Sequence, residues 1–449
     1  MIAFARLRLA GASMMFASLL AVSPASGNMG NIGTNYGILP VDVGSAQSLS
    51  LFNTQVSAIY YNPAYLTRDP RGELSLGLLH GDHELRAASQ GGAAPAIREG
   101  DVLENMPTQQ QLIGMKTDLS DLLKFDRPVY FAFMAGVEKF GKEMMAFRSE
   151  TAEQGQFFSY GRQPLFLNLG GAMRPLHGID MGASALVTLH ATAKLQASSD
   201  LAGNTRYERL EANARPSIRP VLGANLDWSD LICGKEECGW LTGLETAFSF
   251  RGHSHAETAV NSNIVIPGTI PEPGVDIVIN TIDSYQPDIF SFGVQYRFND
   301  DLRVAASVEQ QSWSDLGEKL RGDTIRDQAN LQFEDITVPR IGVEWRFNNH
   351  LTFRGGVAVQ DSPLKSISSP DVNFLDSDKV IIGLGSSLEL QDPPLLAYPL
   401  RLDFGYQYQQ LKERDFLLTS TNPNNPSPYE RLTADGDVHV FGGSLTLKF

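Results

Sequence analysis

Eight histidines are scattered along the 449-residue chain, and the closest pair, His253 and His255, would share one face of an extended strand. A zinc site needs three or four ligands in fixed geometry, and no third is visible, so ordinary solvated histidines are the expectation. No nucleophile elbow, zinc motif or phosphate loop occurs. The sequence therefore assigns no catalytic residue, no metal and no cofactor. The chemistry it does offer is that of charge and of grease. Arg219, Arg303, Arg346, Arg354 and Arg401 could each fork onto a carboxylate head group. The alternative is a structural network with Glu309, Glu344 and Asp403. Met144, Met145, Phe147, Phe157, Phe158 and Tyr160 crowd into one segment and could form a greasy capture surface or pack on neighbouring loops.

The arginines alternate with apolar residues, and that alternation identifies the elements that carry them. In Phe290–Phe298 the even positions are Phe, Phe, Val, Tyr and Phe, while the odd ones are Ser, Gly, Gln and Arg. The same period of two marks 183–197, 302–309, 340–347 and 400–409. These strands run to about ten residues or more, against about five or six in soluble sheets. Fourteen are expected, near 73–87, 109–119, 128–141, 164–174, 179–197, 209–228, 240–256, 286–298, 301–313, 336–347, 351–361, 378–391, 399–411 and 437–449. Pro216 and Pro220 cannot donate to a ladder, so irregular pairing is expected in the sixth. Short polar turns such as Asn299–Asp301 and Asn348–His350 contrast with long segments at 142–163, 257–285, 314–334 and 412–436. Short turns at one end and long loops at the other describe an all-β fold, a transmembrane antiparallel β-barrel. A lipid-facing arginine costs about 2–4 kcal/mol at the midplane, so the arginine face must line the lumen.

Residues 1–27 read as a signal peptide, with Arg6 and Arg8 ahead of an apolar Leu9–Val22 and the small residues Ala25, Ser26 and Gly27. The chain carries a formal charge of −15, which excludes a phosphate-binding, nucleic-acid partner. An even strand count puts both barrel ends and the short turns on the periplasmic side. Cys233 and Cys238 fall in the short connection between strands six and seven, where thiols oxidise, so a disulfide is expected. Closing so small a loop stabilises by about 2 kcal/mol in the chain-entropy model.

Residues 28–72 do not alternate, and residues 73–449 do. Phe52, Tyr60 and Tyr61 would be left in water on a free tail, which favours a plug folded inside the barrel over a flexible extension. Here the chain resembles the FadL/TodX family of outer-membrane transporters for long-chain fatty acids and other hydrophobic compounds. The resemblance rests on Tyr60-Tyr61-Asn62-Pro63-Ala64, then Pro287–Gly293, Tyr296–Asp300, Glu309–Ser314, Arg354–Val357, Asp361–Pro363 and Leu375–Lys379, in that order. Tyr65 departs from the glycine common after the Asn-Pro-Ala.

The resemblance implies an N-terminal hatch at 28–72 and an inward kink in strand three that opens a lateral gap. Gly136 and Gly141 are the candidates for that kink, with ordinary strand glycines as the alternative. It implies passive transport rather than an enzyme, in the cell outer membrane. The expected partners are a hydrophobic small molecule (a fatty acid or hydrocarbon), outer-membrane lipid and, during biogenesis, the barrel-assembly machinery, with the protein a monomer. A water-filled general porin and an outer-membrane lipid hydrolase are the competing functions.

Overall fold

The computed structural model describes residues 36–91, 107–121, 127–139, 143–147, 156–160, 165–199, 205–234, 238–266, 270–321, 332–365, 368–369, 376–419 and 428–449. The signal segment and Gly141 lie outside the described residues. Counting barrel strands only, the chain forms β1 (Glu73–Gly91), β2 (Thr108–Asp118), β3 (Val129–Lys139), β4 (Leu165–Leu176) and β5 (Ile179–Ser199). Then follow β6 (Thr205–Asp227), β7 (Leu244–Arg251), β8 (Ile289–Arg297), β9 (Leu302–Gln311) and β10 (Ile336–Arg346). The circuit ends with β11 (Leu351–Gln360), β12 (Lys379–Leu390), β13 (Leu400–Thr419) and β14 (Pro428–Lys448). Each strand pairs antiparallel with the next, and β14 pairs with both β13 and β1, so the fourteen strands close into a barrel. Reciprocal backbone bonds between Gly72 and Phe449, at 2.8 and 3.0 Å, finish the seam. Closure pairs the two terminal strands with each other, which is the condition for crossing a bilayer with strands.

The alternation read from the sequence becomes two faces. Leu78, Phe290, Leu384 and Phe404 stand more than half exposed on the outside, while Ser75, Ser291 and Arg340 on the inside are buried. At the short-turn end, Trp345, Phe347 and Phe353 cluster with ring centroids 5.4–6.4 Å apart, in the manner of an interfacial aromatic girdle. The turns there are built by asparagine. Asn299 Oδ1 accepts from the N–H groups of Asp301 and Leu302, and Asn348 Oδ1 from those of His350 and Leu351, at 2.8–2.9 Å.

The other end departs from expectation. Within the expected loop 412–436, β13 runs on to Thr419 and β14 starts at Pro428, paired with each other. Within 257–285, Ser254–Ile266 pairs with Ile270–Gln286 in a separate hairpin. Met144, Met145 and Phe147 lie on a strand, Glu143–Phe147, that pairs with Gln156–Tyr160, which carries Phe157, Phe158 and Tyr160. The side chains of those six residues are outside the described part. Beyond the bilayer neither face meets lipid, so nothing enforces a continuous apolar face along the ladder. The expected irregularity of β6 is also absent on its β5 side, where the register runs unbroken past Pro216 and Pro220.

Candidate functional site

The lumen is occupied by the chain's own N-terminal segment, from Tyr36 to Arg68. It folds as a helix Pro40–Gly44, a 3-10 turn Ser50–Phe52, a helical turn Ala58–Tyr61 and a second 3-10 stretch Pro63–Arg68. Almost all of its side chains are buried. Asp42 organises the first half: it accepts from Leu39 N at 3.0 Å, Ser50 Oγ at 2.7 Å and Asn53 Nδ2 at 3.3 Å. Burial raises its carboxyl above the usual carboxylate range, against the pull of these donors.

In the second half Asn62 is extended (φ −152°), as the residue before a proline must be, and its Nδ2 donates to Leu51 O at 3.0 Å. The rings of Tyr60 and Tyr61 meet edge to face at 4.9 Å, and the Arg251 guanidinium lies 5.5 Å from each ring centroid. Ser184 of β5 and Ser249 of β7 donate to the carbonyls of Ile59 and Tyr61. The Asn62-Pro63-Ala64 turn lies directly on Gly182 of β5 and Gly223 of β6.

A charged collar grips this segment. Glu309 joins Arg251 (2.5 Å) to Arg340 (3.3 Å), and Arg340 Nη1 donates to Ala46 O at 3.0 Å. Arg303 pairs with Glu344 at 2.7 Å and donates to Phe52 O at 3.0 Å. Arg354 shares Glu344, and Arg401 pairs with Asp403 at 2.8 Å. Where the segment meets β1, Asp69 binds Arg71 and Lys448, each at 2.9 Å. Burial pushes the Asp69 carboxyl up, but Arg71 and Lys448 outweigh it and hold it well below the ordinary range. Arg68 is clamped between Asp180 (2.8 Å) and Asp227 (2.9 Å).

Of the five arginines suggested by the sequence, Arg303, Arg354 and Arg401 sit in this ion-paired collar. Arg346 stands exposed at the short-turn mouth, where it lines a polar cavity of about 710 Å³ below the segment. Arg219 is separate: buried in β6, it donates to Gly252 O, to Gln286 Oε1 at 3.0 Å and to Pro287 O at 3.0 Å.

Above the segment the lumen holds an apolar cluster. The helix Ser314–Leu320 turns Leu316 and Leu320 inward to join Tyr285, Trp313, Phe333 and Phe416 in one buried cluster. Trp313 and Tyr285 pack with centroids 5.8 Å apart. Tyr36 and Val43 of the segment belong to this cluster, and a cavity of about 70 Å³, lined by Tyr60, Arg251, Glu309, Trp313 and Arg340, lies beside it. Sequence reasoning did not find Trp313, Leu316, Leu320 and Phe333, because they lie where alternation stops.

Gly136, one candidate for the kink in β3, lies within the strand. The ladders to β2 (Leu112) and β4 (Phe166) both run through it, and a Cβ there would strike Gln111 O and the Phe166 ring at 2.6 Å. His253 and His255 stack at 6.1 Å, with His253 3.5 Å from Asp288. Among the described residues, no group of three His, Cys, Asp or Glu side chains is placed to hold a metal.

Cys233, at the end of the helix Trp228–Cys233, is bonded to Cys238, with Cα atoms 6.1 Å apart. Thiol labelling of unreduced, denatured protein is expected to modify neither cysteine. Two labelled thiols would refute the bridge.

Comparison with known proteins agrees with this architecture. Residues 246–449 match the family described as outer membrane protein transport protein (OMPP1/FadL/TodX). The chain is 51% identical over 432 residues to alkane uptake protein A of Marinobacter nauticus, covering 95% of this chain and 93% of that one. The fold is similar to that of a Pseudomonas aeruginosa FadL homologue (TM-score 0.61, 15% identity, 91% of this chain and 98% of that). It is also similar to that of the P. putida toluene transporter TodX (TM-score 0.54, 13% identity, 92% and 99%). The chain belongs to the OMPP1/FadL/TodX family of outer-membrane transport proteins for hydrophobic compounds.

Proposed function

We propose that this protein is a passive channel for neutral long-chain hydrocarbons, alkanes foremost, across the outer membrane. The observation that carries the reading is the stacking of the lumen. An apolar cluster at the long-loop end, with Trp313, Tyr285 and Phe333 among its members, packs on the folded N-terminal segment through Tyr36 and Val43. The long-loop end faces outward, the short turns face the periplasm, and the 28–72 segment, exported behind a cleaved 1–27 signal, is the hatch. An open aqueous pore would need the space that segment fills. The 51% identity to an alkane uptake protein supports the substrate class. So does the collar, whose arginines are engaged with Glu309, Glu344 and Asp403 and would have to exchange those partners for a fatty-acid carboxylate.

Energetics set the mechanism. Burying a CH₂ gains about 0.8 kcal/mol, so a chain of about sixteen carbons gains on the order of 10 kcal/mol on leaving water for an apolar site. Release at a useful rate requires the pocket to be dismantled, and movement of the hatch does that by removing Tyr60 and Tyr61 from beneath it. Lateral exit into the bilayer spares the ligand a passage through water.

The test is transfer in proteoliposomes. Radiolabelled hexadecane is expected to equilibrate faster across vesicles holding the protein than across empty ones, with little swelling in sugars. Swelling like that of a general porin, or faster transfer of palmitate than of hexadecane, would overturn the assignment.

A further inference from the structure

At the short-turn end the connections are uneven. Asn299–Asp301 and Asn348–His350 are tight and polar. The connection from β6 to β7, residues 228–243, is far longer and carries two of the chain's four tryptophans, Trp228 and Trp240. Its helix Trp228–Cys233 is amphipathic. Trp228, Leu231 and Ile232, spaced i, i+3 and i+4, share one face, and Leu231 and Ile232 are exposed. The polar groups are tied to the barrel rim instead. Asp227 Oδ1 caps the helix, accepting from Asp230 N at 3.2 Å and from Ser229 Oγ at 2.9 Å. Asp230 Oδ2 accepts from Gly178 N, in the β4–β5 turn, at 2.7 Å. Asp230 is the one charged side chain among the described residues of this connection.

Six residues are too few to hold a helix in water by themselves. Besides the cap and the bond to Gly178, the Cys233–Cys238 bridge ties the last helical residue to the 3-10 turn Gly239–Leu241. That turn presents Trp240 at 72% exposure. At the base of the helix, Trp228 Nε1 donates to Thr246 Oγ1 at 3.2 Å, on the outward face of β7 that also holds Phe248. By parity Trp228 continues, at the rim, the lipid-facing row of β6 that holds Ile218 and Leu222. On the neighbouring β4–β5 hairpin, Leu176 and Met181 are exposed as well. The connection therefore fixes its polar atoms inward and its apolar side chains outward, where water alone would give no reason to do so.

We propose that this disulfide-stapled connection is a membrane foot. It lies in the headgroup layer of the leaflet at the short-turn end, with Trp228, Leu231, Ile232 and Trp240 dipped toward the acyl chains. Lipid is the occupant because the patch continues the lipid-facing rows of β6 and β7 without a charge between them. Tryptophan, an apolar body with one polar N–H, also favours the boundary between headgroups and chains. The position gives the foot its use. Strand β7 has eight residues, fewer than the about 9–11 that a transmembrane strand uses, so the wall's apolar belt is shortest there. The foot adds apolar surface at that point and fixes the depth and tilt of the barrel. This role is independent of what the channel carries.

The test is depth-resolved fluorescence quenching. The unsubstituted protein and Trp240→Phe are reconstituted into phosphatidylcholine vesicles whose acyl chains carry bromine near the headgroup, and the difference between the two isolates the emission of Trp240. That emission is expected to lose about half or more of its intensity to the bromine, and little to iodide supplied on both sides of the vesicle. Ile232→Asp, compared with Ile232→Asp, Trp240→Phe, puts a charge on the apolar face and is expected to reverse the two, while heat-modifiable gel migration shows the barrel intact. A Trp240 quenched by iodide and untouched by bromine in the protein with Ile232 in place would overturn the foot and leave the patch to a soluble partner protein. Quenching left unchanged by Ile232→Asp would overturn it as well, since the wall rather than contact with lipid would then hold Trp240 where it is.

Discussion

Deleting residues 28–66 is expected to leave a folded, heat-modifiable barrel whose ion conductance rises from near the bilayer baseline to that of an open, water-filled pore. The barrel does not depend on the segment for closure. The β1–β14 ladder begins at Glu73↔Lys448, and the Gly72–Phe449 bonds lie outside the deletion. What the deletion removes is lumenal: the carbonyls of Ala46 and Phe52 that Arg340 and Arg303 bind, and the aromatic bulk of Phe52, Tyr60 and Tyr61. The arginines keep Glu309 and Glu344, and water replaces the lost carbonyls, so no buried charge is stranded. Planar-bilayer recordings on the truncated and intact proteins make the comparison. Equal conductance would mean that the segment does not seal the lumen, and the hatch mechanism would fall with it.

The barrel was legible in the sequence because lipid enforces a pattern. Wherever a strand crosses hydrocarbon, an outward arginine is too costly, so Phe290–Phe298 and Leu400–Gln409 could be read residue by residue. The legibility stops where the lipid stops. Residues 257–285 were expected as a loop, and most of them form a hairpin, Ser254–Ile266 with Ile270–Gln286, because a ladder in water needs no apolar face. Pro216 and Pro220 could be recognised as poor donors, but not that their missing donors face an edge with no partner. That depends on β7 ending at Arg251, a long-range fact. Among the arginines, residue type and parity told which face they occupy but not what they bind. Glu309 and Glu344, from neighbouring strands, settle that by register. A signal was present and went unread in the inward-facing glycines. Gly342, Gly356, Gly383 and Gly405 fall on lumenal positions of β10 to β13, and each lies against residues 40–48. Glycine recurring on the lumen face of several neighbouring strands marks a wall that something packs against.

The second large effect follows from that contact. At Gly182 in β5 an added Cβ would lie 2.5 Å from Ala64 N and from Pro63 C, and 2.8 Å from Pro63 Cβ. Two of those atoms are backbone, in a stretch that Pro63 makes rigid, so no rotamer change relieves the clash. Gly182→Val is therefore expected to expel the Asn62-Pro63-Ala64 turn rather than unfold the barrel. Valine suits a strand better than glycine, so the barrel gains while the docked segment loses. Overpacking of this kind costs about 1–3 kcal/mol. Placed on the docking equilibrium, that raises the undocked fraction roughly 5- to 150-fold, to be read as open-channel probability in bilayer recordings. Gly355→Val is the matched control, because a Cβ at Gly355 meets nothing nearer than 3.7 Å and the same change of residue carries no clash. A segment that seals the lumen predicts frequent openings in Gly182→Val and the intact protein's quiet record in Gly355→Val. Two equally quiet records would mean that the contact between Gly182 and the Asn62-Pro63-Ala64 turn does not control the pore.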